Sequence, residues 1–365
     1  MKNRILNIIK NDINIYGTIL YIQVSLTNNC QEDCNHCYQK NFKNNLQELS
    51  TEDVINIIDQ IDNVSKIKKI KPYIAFTGGD PLLHKSLFEL IEYSRNKGIE
   101  VVIKGNPRLL KKEYITKLSE LGIYSYNLSL DGLEKTHDLI RSNGSFNSTI
   151  DAIKNLKSAG INVVIKYTVQ KSNYGDLIPL MRLCSSLNVD AFDFARYCPD
   201  NSADIKDIIN SNEYRMLLYN SLKEYQNMLR DNSSMQLLFR DHLWIPFFYE
   251  LGLLDQHIDE KIYEQDDFVC GCSMGSNGIT INYTGEIYPC QKFSDYSLGS
   301  IYDKSIDNIL DSVKYNQLKK NEFYNECEGC KLINLCRGCP AINKSLVNLS
   351  ACSEYACWKM KHKVT

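Results

Sequence analysis

Residues 25–39, SLTNNCQEDCNHCYQ, are the starting point for predicting the fold. They follow an apolar, β-branched run and contain three closely spaced cysteines. Cys30, Cys34 and Cys37 form a C-x3-C-x2-C motif directly after the candidate strand Tyr21–Leu26. In barrels built from βα units, the loops that follow the strands carry the chemistry. Three thiolates are suitable ligands for an iron–sulfur cluster and leave its fourth iron open to another ligand. The motif therefore predicts a [4Fe–4S] cluster at the end of the first strand.

Short apolar runs alternate with amphipathic stretches between residues 20 and 230, a pattern typical of βα units around a parallel sheet. The strand candidates are Tyr21–Leu26, Tyr73–Phe76, Val101–Lys104, Tyr124–Leu130, Val163–Val169 and Ala191–Arg196. Helical candidates lie between them, for example Thr51–Asp62 and Ile150–Ala159. Six such units predict an α/β fold with a partial (β/α)6 TIM-like barrel that is open on one side.

The rest of the chain divides by composition. We expect a short N-terminal segment at residues 1–18, the barrel at 19–230, a helical connector at 231–265 and a small cysteine-rich α+β module at 266–365. Within that module, INYTGEIYPC at residues 281–290 predicts a hairpin that turns near Thr284 and Gly285. We expect this module to be distinct from the barrel and to be stabilised by bound metal. No Gly/Ser linker separates the parts, so they are expected to pack together.

Two further motifs follow predicted strands. The second strand ends in AFTGGDPLL, where Gly78 and Gly79 permit close backbone approach and Asp80 offers an acceptor for an ammonium group. The fourth strand ends in SLDG, which puts Ser129 and Asp131 near the same rim. Each of these motifs alone also fits an ordinary turn or strand exit. Their joint position at strand ends together with the cysteines favours one site.

These residues together resemble the radical S-adenosylmethionine superfamily, whose members carry C-x3-C-x2-C after the first strand and a GGE-like motif after the second. The resemblance implies that the three cysteines bind the cluster and that residues 78–80 contact the methionine amino group, with Asp80 in place of the usual glutamate. It also places Ser129 and Asp131 near the cofactor, and Arg141 is a further candidate contact. The implied reaction is reductive cleavage of S-adenosylmethionine, with a flavodoxin or ferredoxin as electron donor.

The C-terminal part of the chain is rich in cysteine, with nine of the 14 cysteines within residues 270–357. Cys272, Gly285 and Cys290 fit C-x12-G-x4-C, and residues 327–339, CEGCKLINLCRGC, fit C-x2-C-x5-C-x2-C. Nine thiols exceed the need of one metal site and suffice for two further four-iron clusters. Zinc is the alternative, because paired C-x2-C elements also build zinc ribbons.

This tail resembles the SPASM extension of radical enzymes that mature peptides and proteins, which holds two auxiliary [4Fe–4S] clusters. By that resemblance the first cluster is bound by Cys270 or Cys272 with Cys290 and Cys339, and Cys352 is the spare cysteine. The ligands implied for the second are Cys327, Cys330, Cys336 and Cys357. The last pair of the quartet is separated by two residues, Arg337 and Gly338, where the family usually has three. The resemblance implies three clusters in all.

The function that follows is the formation of a 5′-deoxyadenosyl radical that removes a hydrogen atom from a peptide residue. The product in similar families is a thioether, a carbon–carbon crosslink, an epimer or an oxidised side chain. Few residues precede the first strand, so a leader peptide is expected to dock elsewhere or on a separate leader-binding protein. Anaerobic sulfatase maturases carry an aspartate base after the cysteine that matches Cys290, whereas this chain has Gln291, so formylglycine formation ranks second. Cys198 is the remaining cysteine placed to face the active site.

Other classes of function stay open at this point. A similar scaffold could act on a small molecule or a porphyrin-like precursor. A protein without enzymatic activity could use the tail as a zinc-ribbon adaptor, and zinc at the first motif would need a fourth ligand such as His36. The 42 basic residues nearly balance the 44 acidic ones, which favours neither a nucleic-acid nor a membrane partner. Without a signal peptide or apolar span, we expect a cytoplasmic protein.

Overall fold

Ten strands form one continuous sheet in the computed structural model, which describes residues 19–39, 46–199, 205–254, 277–318, 327, 330–336, 338–342 and 355–359. The strands are β1 (Ile19–Thr27), β2 (Lys71–Gly78), β3 (Glu100–Lys104), β4 (Ser125–Ser129), β5 (Val163–Val169), β6 (Ala191–Arg196), β7 (Gln236–Leu238), β8 (Gly278–Ile281), β9 (Glu286–Tyr288) and β10 (Gly299–Ser300). Their order across the sheet is β10-β9-β8-β1-β2-β3-β4-β5-β6-β7.

Neighbouring strands from β1 to β7 pair in parallel, as the predicted βα units require. The helices of the described chain are α1 (Thr51–Lys68), α2 (Leu87–Asn96), α3 (Lys112–Glu120), α4 (Glu134–Ile140), α5 (Ser145–Ser158), α6 (Leu177–Ser186), α7 (Ser211–Arg230), α8 (Trp244–Glu250), α9 (Ile306–Leu310), α10 (Val313–Gln317) and α11 (Ile333–Cys336). The helix α1 begins at a capping box, in which Ser50 accepts from Asp53 N and Asp53 accepts from Ser50 N. The predicted α/β partial-barrel class is confirmed.

The two faces of β1 show why this sheet can hold a polar site. Leu20, Ile22, Val24 and Leu26 are fully buried in the hydrophobic core, together with Val54, Ile57 and Ile58 of α1 and other apolar residues. Since successive side chains of a strand point to opposite faces, Gln23, Ser25 and Thr27 share the other face. The helices therefore pack on the apolar face, and the polar face is available for the functional site.

The structure differs from expectation at both ends of the barrel sheet. The connector at 231–265 was expected to be helical, and besides a helix it contributes β7, which extends the parallel sheet beyond β6. The cysteine-rich module was expected to pack against the barrel, and it also shares its sheet, because β8 of its hairpin pairs in parallel with β1 at Tyr21–Val24. The hairpin of β8 and β9 turns at Gly285 as predicted. Because β1 has a free edge on that side, the hairpin joins the barrel sheet.

No helix of the described residues is long and apolar enough to cross a bilayer.

Candidate active site

The three cysteines of the first motif lie together in the loop after β1. The Cys37 backbone N–H donates to the Cys34 carbonyl oxygen at 3.2 Å, which turns the loop back on itself. The pKa of the Cys34 thiol is raised to about 11, chiefly by burial, with Arg141 lowering it and the nearby Cys37 and Cys30 raising it. A metal that coordinates a thiol deprotonates it, so iron would overcome the effect of burial.

Nitrogen donors surround the sulfur atoms of this triad. Asn106 Nδ2 lies 3.2 Å from Cys30 Sγ, and Glu32 N lies 3.4 Å from the same sulfur. Arg141 Nη1 lies 3.5 Å from Cys34 Sγ. Hydrogen bonds to cysteine sulfur are among the features that set the potential of an iron–sulfur cluster. Asn106 was missed by the sequence analysis, although its place after β3, at the same edge as the other motifs, was available as a signal.

The GGD loop after β2 packs directly on the loop that carries the triad. Gly79 N donates to Thr27 O at 2.8 Å, and Asp80 N donates to Asn29 O at 2.8 Å. A Cβ at Gly79 would lie 2.0 Å from Asn29 O, and one at Gly78 would lie 2.1 Å from Thr27 O. The backbones touch so closely that only glycine fits at either position.

Asp80, predicted to contact an ammonium group, is fully buried. Its Oδ1 accepts from Leu82 N at 3.1 Å, which caps a short 3-10 helix, and its Oδ2 accepts from Gln31 Nε2. Burial raises the pKa of Asp80. Gln31 Oε1 is buried without a hydrogen-bond partner, so a polar acceptor beside Asp80 is still open to a donor.

Asp131 and Arg141 form a buried ion pair beside Cys34. Arg141 Nε donates to Asp131 Oδ2 at 2.6 Å, and Thr168 N donates to Asp131 Oδ1 at 2.7 Å. Although burial alone would raise the pKa of Asp131, the Arg141 guanidinium and the other donors hold it below its usual value. His36 Nε2 lies 3.7 Å from the same carboxylate. Ser129 ends β4 two residues earlier and is half-buried.

Arg141 was predicted as a contact of the cofactor, and here it joins Asp131 to the triad. Its guanidinium contacts both Asp131 and Cys34, and it is largely buried. The structure thus brings the triad, the GGD loop, Asp131 and Arg141 to one edge of the sheet. Their roles toward cluster and cofactor stay predictions.

The second group of cysteines also comes together. Burial raises the pKa of Cys336 well above its ordinary value, and nearby Cys357, Cys327 and Cys330 raise it further. These are the four residues that the resemblance implied for one auxiliary cluster. Cys270, Cys272 and Cys352 lie outside the described residues.

A buried arginine, missed by the sequence analysis, ties this group to the barrel. Arg196, at the end of β6, donates through Nη1 to Tyr355 O and Ala356 O, both at 2.9 Å, just before Cys357. Its Nε donates to Asp241 at 3.1 Å. Cys198, Cys339 and Tyr355 all pack against one small apolar cluster at this junction, which includes Tyr197 and Ala356.

Gln291 reaches from the cysteine-rich module to the polar face of β1. Its Oε1 accepts from Gln23 Nε2 and, at 2.8 Å, from the Tyr38 hydroxyl. Burial raises the pKa of Tyr38 above its usual range, so its phenol stays protonated and donates. Lys292 Nζ lies 4.8 Å above the Tyr38 ring. The residue after Cys290 therefore lies beside the residue after Cys37.

The residues present fit an iron–sulfur cluster. Within the described residues, no three His, Cys, Asp or Glu side chains are grouped closely enough for a single metal ion. A four-iron cluster attaches each cysteine to a different iron, so its ligands spread more widely than those of one ion. The gathered thiols, the nitrogen donors at their sulfur atoms and the glycine contact at the next loop suit such a group.

Comparison with known families agrees with this reading of the site. Residues 24–184 match the radical SAM superfamily, and residues 270–340 match the SPASM iron–sulfur cluster-binding domain. The chain belongs to the radical S-adenosylmethionine superfamily and is an enzyme of its SPASM-domain group. The two matched domains indicate that the chain binds iron–sulfur and S-adenosylmethionine.

Individual relatives differ in what they do. The chain is 26% identical over 295 residues to Fe-coproporphyrin III synthase of Methanosarcina barkeri, which covers 78% of this chain and 72% of that protein. It is 26% identical over 297 residues to the sporulation killing factor maturation protein SkfB of Bacillus subtilis, covering 81% and 66%. Its fold is similar to that of Streptococcus suis SuiB, with a TM-score of 0.72, 19% identity and coverage of 97% and 79%.

The close contact at Gly79 gives a first prediction. Gly79→Ala should displace the triad loop, because the new Cβ would overlap Asn29 O. We expect a loss of stability of about 1–3 kcal/mol, as overpacking costs, and weaker binding of S-adenosylmethionine. Thermal unfolding and calorimetric titration of the anaerobic protein measure both. Gly175→Ala is the matched control, since a Cβ there meets open space. Equal behaviour of the two variants would contradict the prediction.

His137 gives a second prediction, on pH. Asp131 N donates to His137 Nδ1 at 3.0 Å, so this nitrogen is an acceptor and the ring is neutral. Burial lowers the pKa of His137 from 6.5 to about 4. Between these values the unfolded chain binds the extra proton, so stability falls as the pH falls.

His137→Asn keeps an acceptor for Asp131 N and removes the titration. The pH dependence of its free energy of unfolding between pH 6.5 and 5 should be shallower than in the wild type by up to about 1.4 kcal/mol per pH unit. Denaturant unfolding at a series of pH values measures it. An unchanged slope would show that His137 is already charged in the folded protein.

Proposed function

We propose that this enzyme removes a hydrogen atom from a residue of a peptide substrate during post-translational modification, as in the maturation of ribosomally made peptides. When bound, the reduced cluster supplies the electron that cleaves S-adenosylmethionine to methionine and a 5′-deoxyadenosyl radical, the species that abstracts hydrogen. The task of the protein residues is to hold the cofactor, place the C–H bond and exclude water.

The observation that carries the proposal is the composition of the network at Gln291. Gln291, Gln23 and Tyr38 offer amide and phenol groups, which are complementary to the amides of a peptide backbone. None of the three accepts a proton readily near neutral pH, and the raised pKa of Tyr38 keeps its phenol neutral. This argues against a reaction that needs a base at this point in addition to hydrogen-atom abstraction. Formylglycine formation of the sulfatase-maturase type therefore stays second, because Gln291 replaces the aspartate base.

The similarity to SkfB supports the peptide assignment, since that protein matures a killing factor. We further propose three [4Fe–4S] clusters. The triad would bind the first, Cys327, Cys330, Cys336 and Cys357 would bind one auxiliary cluster, and Cys290 and Cys339 would take part in the other. Partners of this function are a peptide with its leader, with or without a separate leader-binding protein, and a flavodoxin or ferredoxin donor.

A second candidate is a carboxylate-bearing small substrate such as a porphyrin precursor. Lys104 and Lys292 border the Gln291 network, and neither has a carboxylate partner within the described residues. Two such cations suit propionate groups, and one relative is an Fe-coproporphyrin III synthase. The two candidates are separated by substrate rather than by mechanism.

Iron analysis tests the number of clusters. Three four-iron clusters predict about twelve irons for each chain of the anaerobically purified protein. Cys336→Ala should lower this to about eight, because it removes a ligand from the group that contains Cys357. Cys184→Ala is the control, since Cys184 lies in the apolar core. About four irons in the wild type would eliminate the auxiliary clusters.

Substrate turnover tests the function. The holoenzyme, S-adenosylmethionine and a reductant are incubated either with full-length short peptides encoded beside this gene or with iron coproporphyrin III. We expect a mass change in a peptide, one 5′-deoxyadenosine formed for each modification, and no change in the porphyrin. Cys34→Ala should abolish both products. Turnover of the porphyrin alone would replace the peptide assignment with the second candidate.

A further inference from the structure

A chain of hydrogen bonds runs from β3 through β1 to the residue after Cys290. Lys104 Nζ donates to Gln23 Oε1 at 2.5 Å, and Gln23 Nε2 donates to Gln291 Oε1. The Tyr38 hydroxyl donates to the same Gln291 oxygen at 2.8 Å. Three separate parts of the chain thus converge on one amide side chain.

The donor at the start of the chain fixes the orientation of both amides. The oxygen and nitrogen of a glutamine side chain are distinguished by their hydrogen-bond partners. A lysine ammonium only donates, so the Gln23 atom that faces Lys104 must be oxygen. The other end of Gln23 is then its NH2 group, and the Gln291 atom that faces it must be oxygen.

The Tyr38 hydroxyl is compatible with this orientation of Gln291. It donates to Gln291 Oε1 at 2.8 Å, and a hydroxyl can both donate and accept. A flip of the Gln291 amide would set its NH2 group against the NH2 group of Gln23 and break that hydrogen bond. Gln291 is therefore held with its side-chain carbonyl directed toward Gln23 and Tyr38.

The Nε2 atom of Gln291 is left as a presented donor. It makes no hydrogen bond within the described residues, and it is not among their buried unpartnered atoms. Gln291 itself is half-buried, so its side chain is exposed in part, and the contacts of Oε1 fix the direction of this nitrogen. Tyr38 directly follows Cys37, Gln291 directly follows Cys290, and the two side chains are hydrogen-bonded. The donor accordingly lies between the triad and the start of the cysteine-rich module.

We propose that Gln291 determines substrate specificity by donating from Nε2 to a carbonyl oxygen of the substrate, a peptide amide carbonyl beside the attacked C–H bond. This inference rests on the proposed peptide function for its choice of carbonyl. Lys104 and Gln23 are positioning residues that act through Gln291. Lys292, next in the chain, adds positive charge near the same point and favours an oxygen acceptor over a donor.

Gln291→Glu is the decisive variant. A glutamate keeps an oxygen for Gln23 and Tyr38 but has no N–H to offer a carbonyl. The probe is N-acetyl-L-alanine methylamide, one peptide unit, titrated by saturation-transfer NMR into the anaerobic holoenzyme with S-adenosylmethionine. We expect its Kd to rise about tenfold, as loss of a hydrogen bond and exposure to a carboxylate imply, with an unchanged unfolding temperature.

Two further variants separate the proposed role from a structural one. Gln60→Glu is the matched control, because Gln60 Oε1 also accepts from a fixed donor, Ile306 N, at 2.8 Å at a distant helix contact. Its probe binding should equal that of the wild type. Gln23→Glu should turn the Gln291 amide, since a carboxylate at position 23 has no N–H to donate, and should weaken probe binding as Gln291→Glu does.

The possible outcomes test this inference separately from the proposed function. Equal Kd values for the wild type and Gln291→Glu, or no saturable binding to the wild type, would overturn it. Binding that depends on Gln291 while no peptide is modified would keep the carbonyl donor and remove the peptide function. Peptide modification with Kd values unaffected by Gln291→Glu would keep the peptide function and remove the carbonyl donor.

Discussion

The close contact of two backbones at the ends of β1 and β2 is the constraint on which the site depends. Gly78 and Gly79 approach Thr27 and Asn29 so closely that no Cβ fits, and two backbone hydrogen bonds fix the contact. The loop that carries the cysteines is thereby held against the loop that carries Asp80. Since both loops leave neighbouring parallel strands, the sheet itself sets their separation.

Buried ion pairs attach each cysteine group to this frame. Arg141 with Asp131 lies at the triad, and Arg196 with Asp241 lies at the junction with the tail. Removing one partner of a buried pair is costly because the other charge is left without compensation. Each arginine also contacts the cysteine segment, Arg141 at Cys34 Sγ and Arg196 at the carbonyls before Cys357. Charge and metal-site geometry are therefore coupled at both places.

The strands and the triad could be predicted because their signals are local. The strand candidate Val163–Val169 coincides with β5, and Ala191–Arg196 coincides with β6. The helix candidate Thr51–Asp62 was six residues too short, since α1 continues to Lys68. Helix ends depend on caps and packing as well as on periodicity, which explains that error. The pairing of β8 with β1 could not be predicted, because it joins residues over 250 positions apart through backbone hydrogen bonds that leave no mark in side-chain pattern.

Cysteine spacing and glycine placement are properties of short segments, so the family, the βα order and the residues that carry the chemistry could be recognised without the structure. Which of these residues are in contact is a property of the folded chain. The tertiary structure brought Arg141 to Cys34, Arg196 to the tail and Gln291 to Gln23, since such contacts depend on where distant elements of the sheet lie. It also decided the direction of the Gln291 amide, because a side chain with a donor end and an acceptor end is oriented only by its partners.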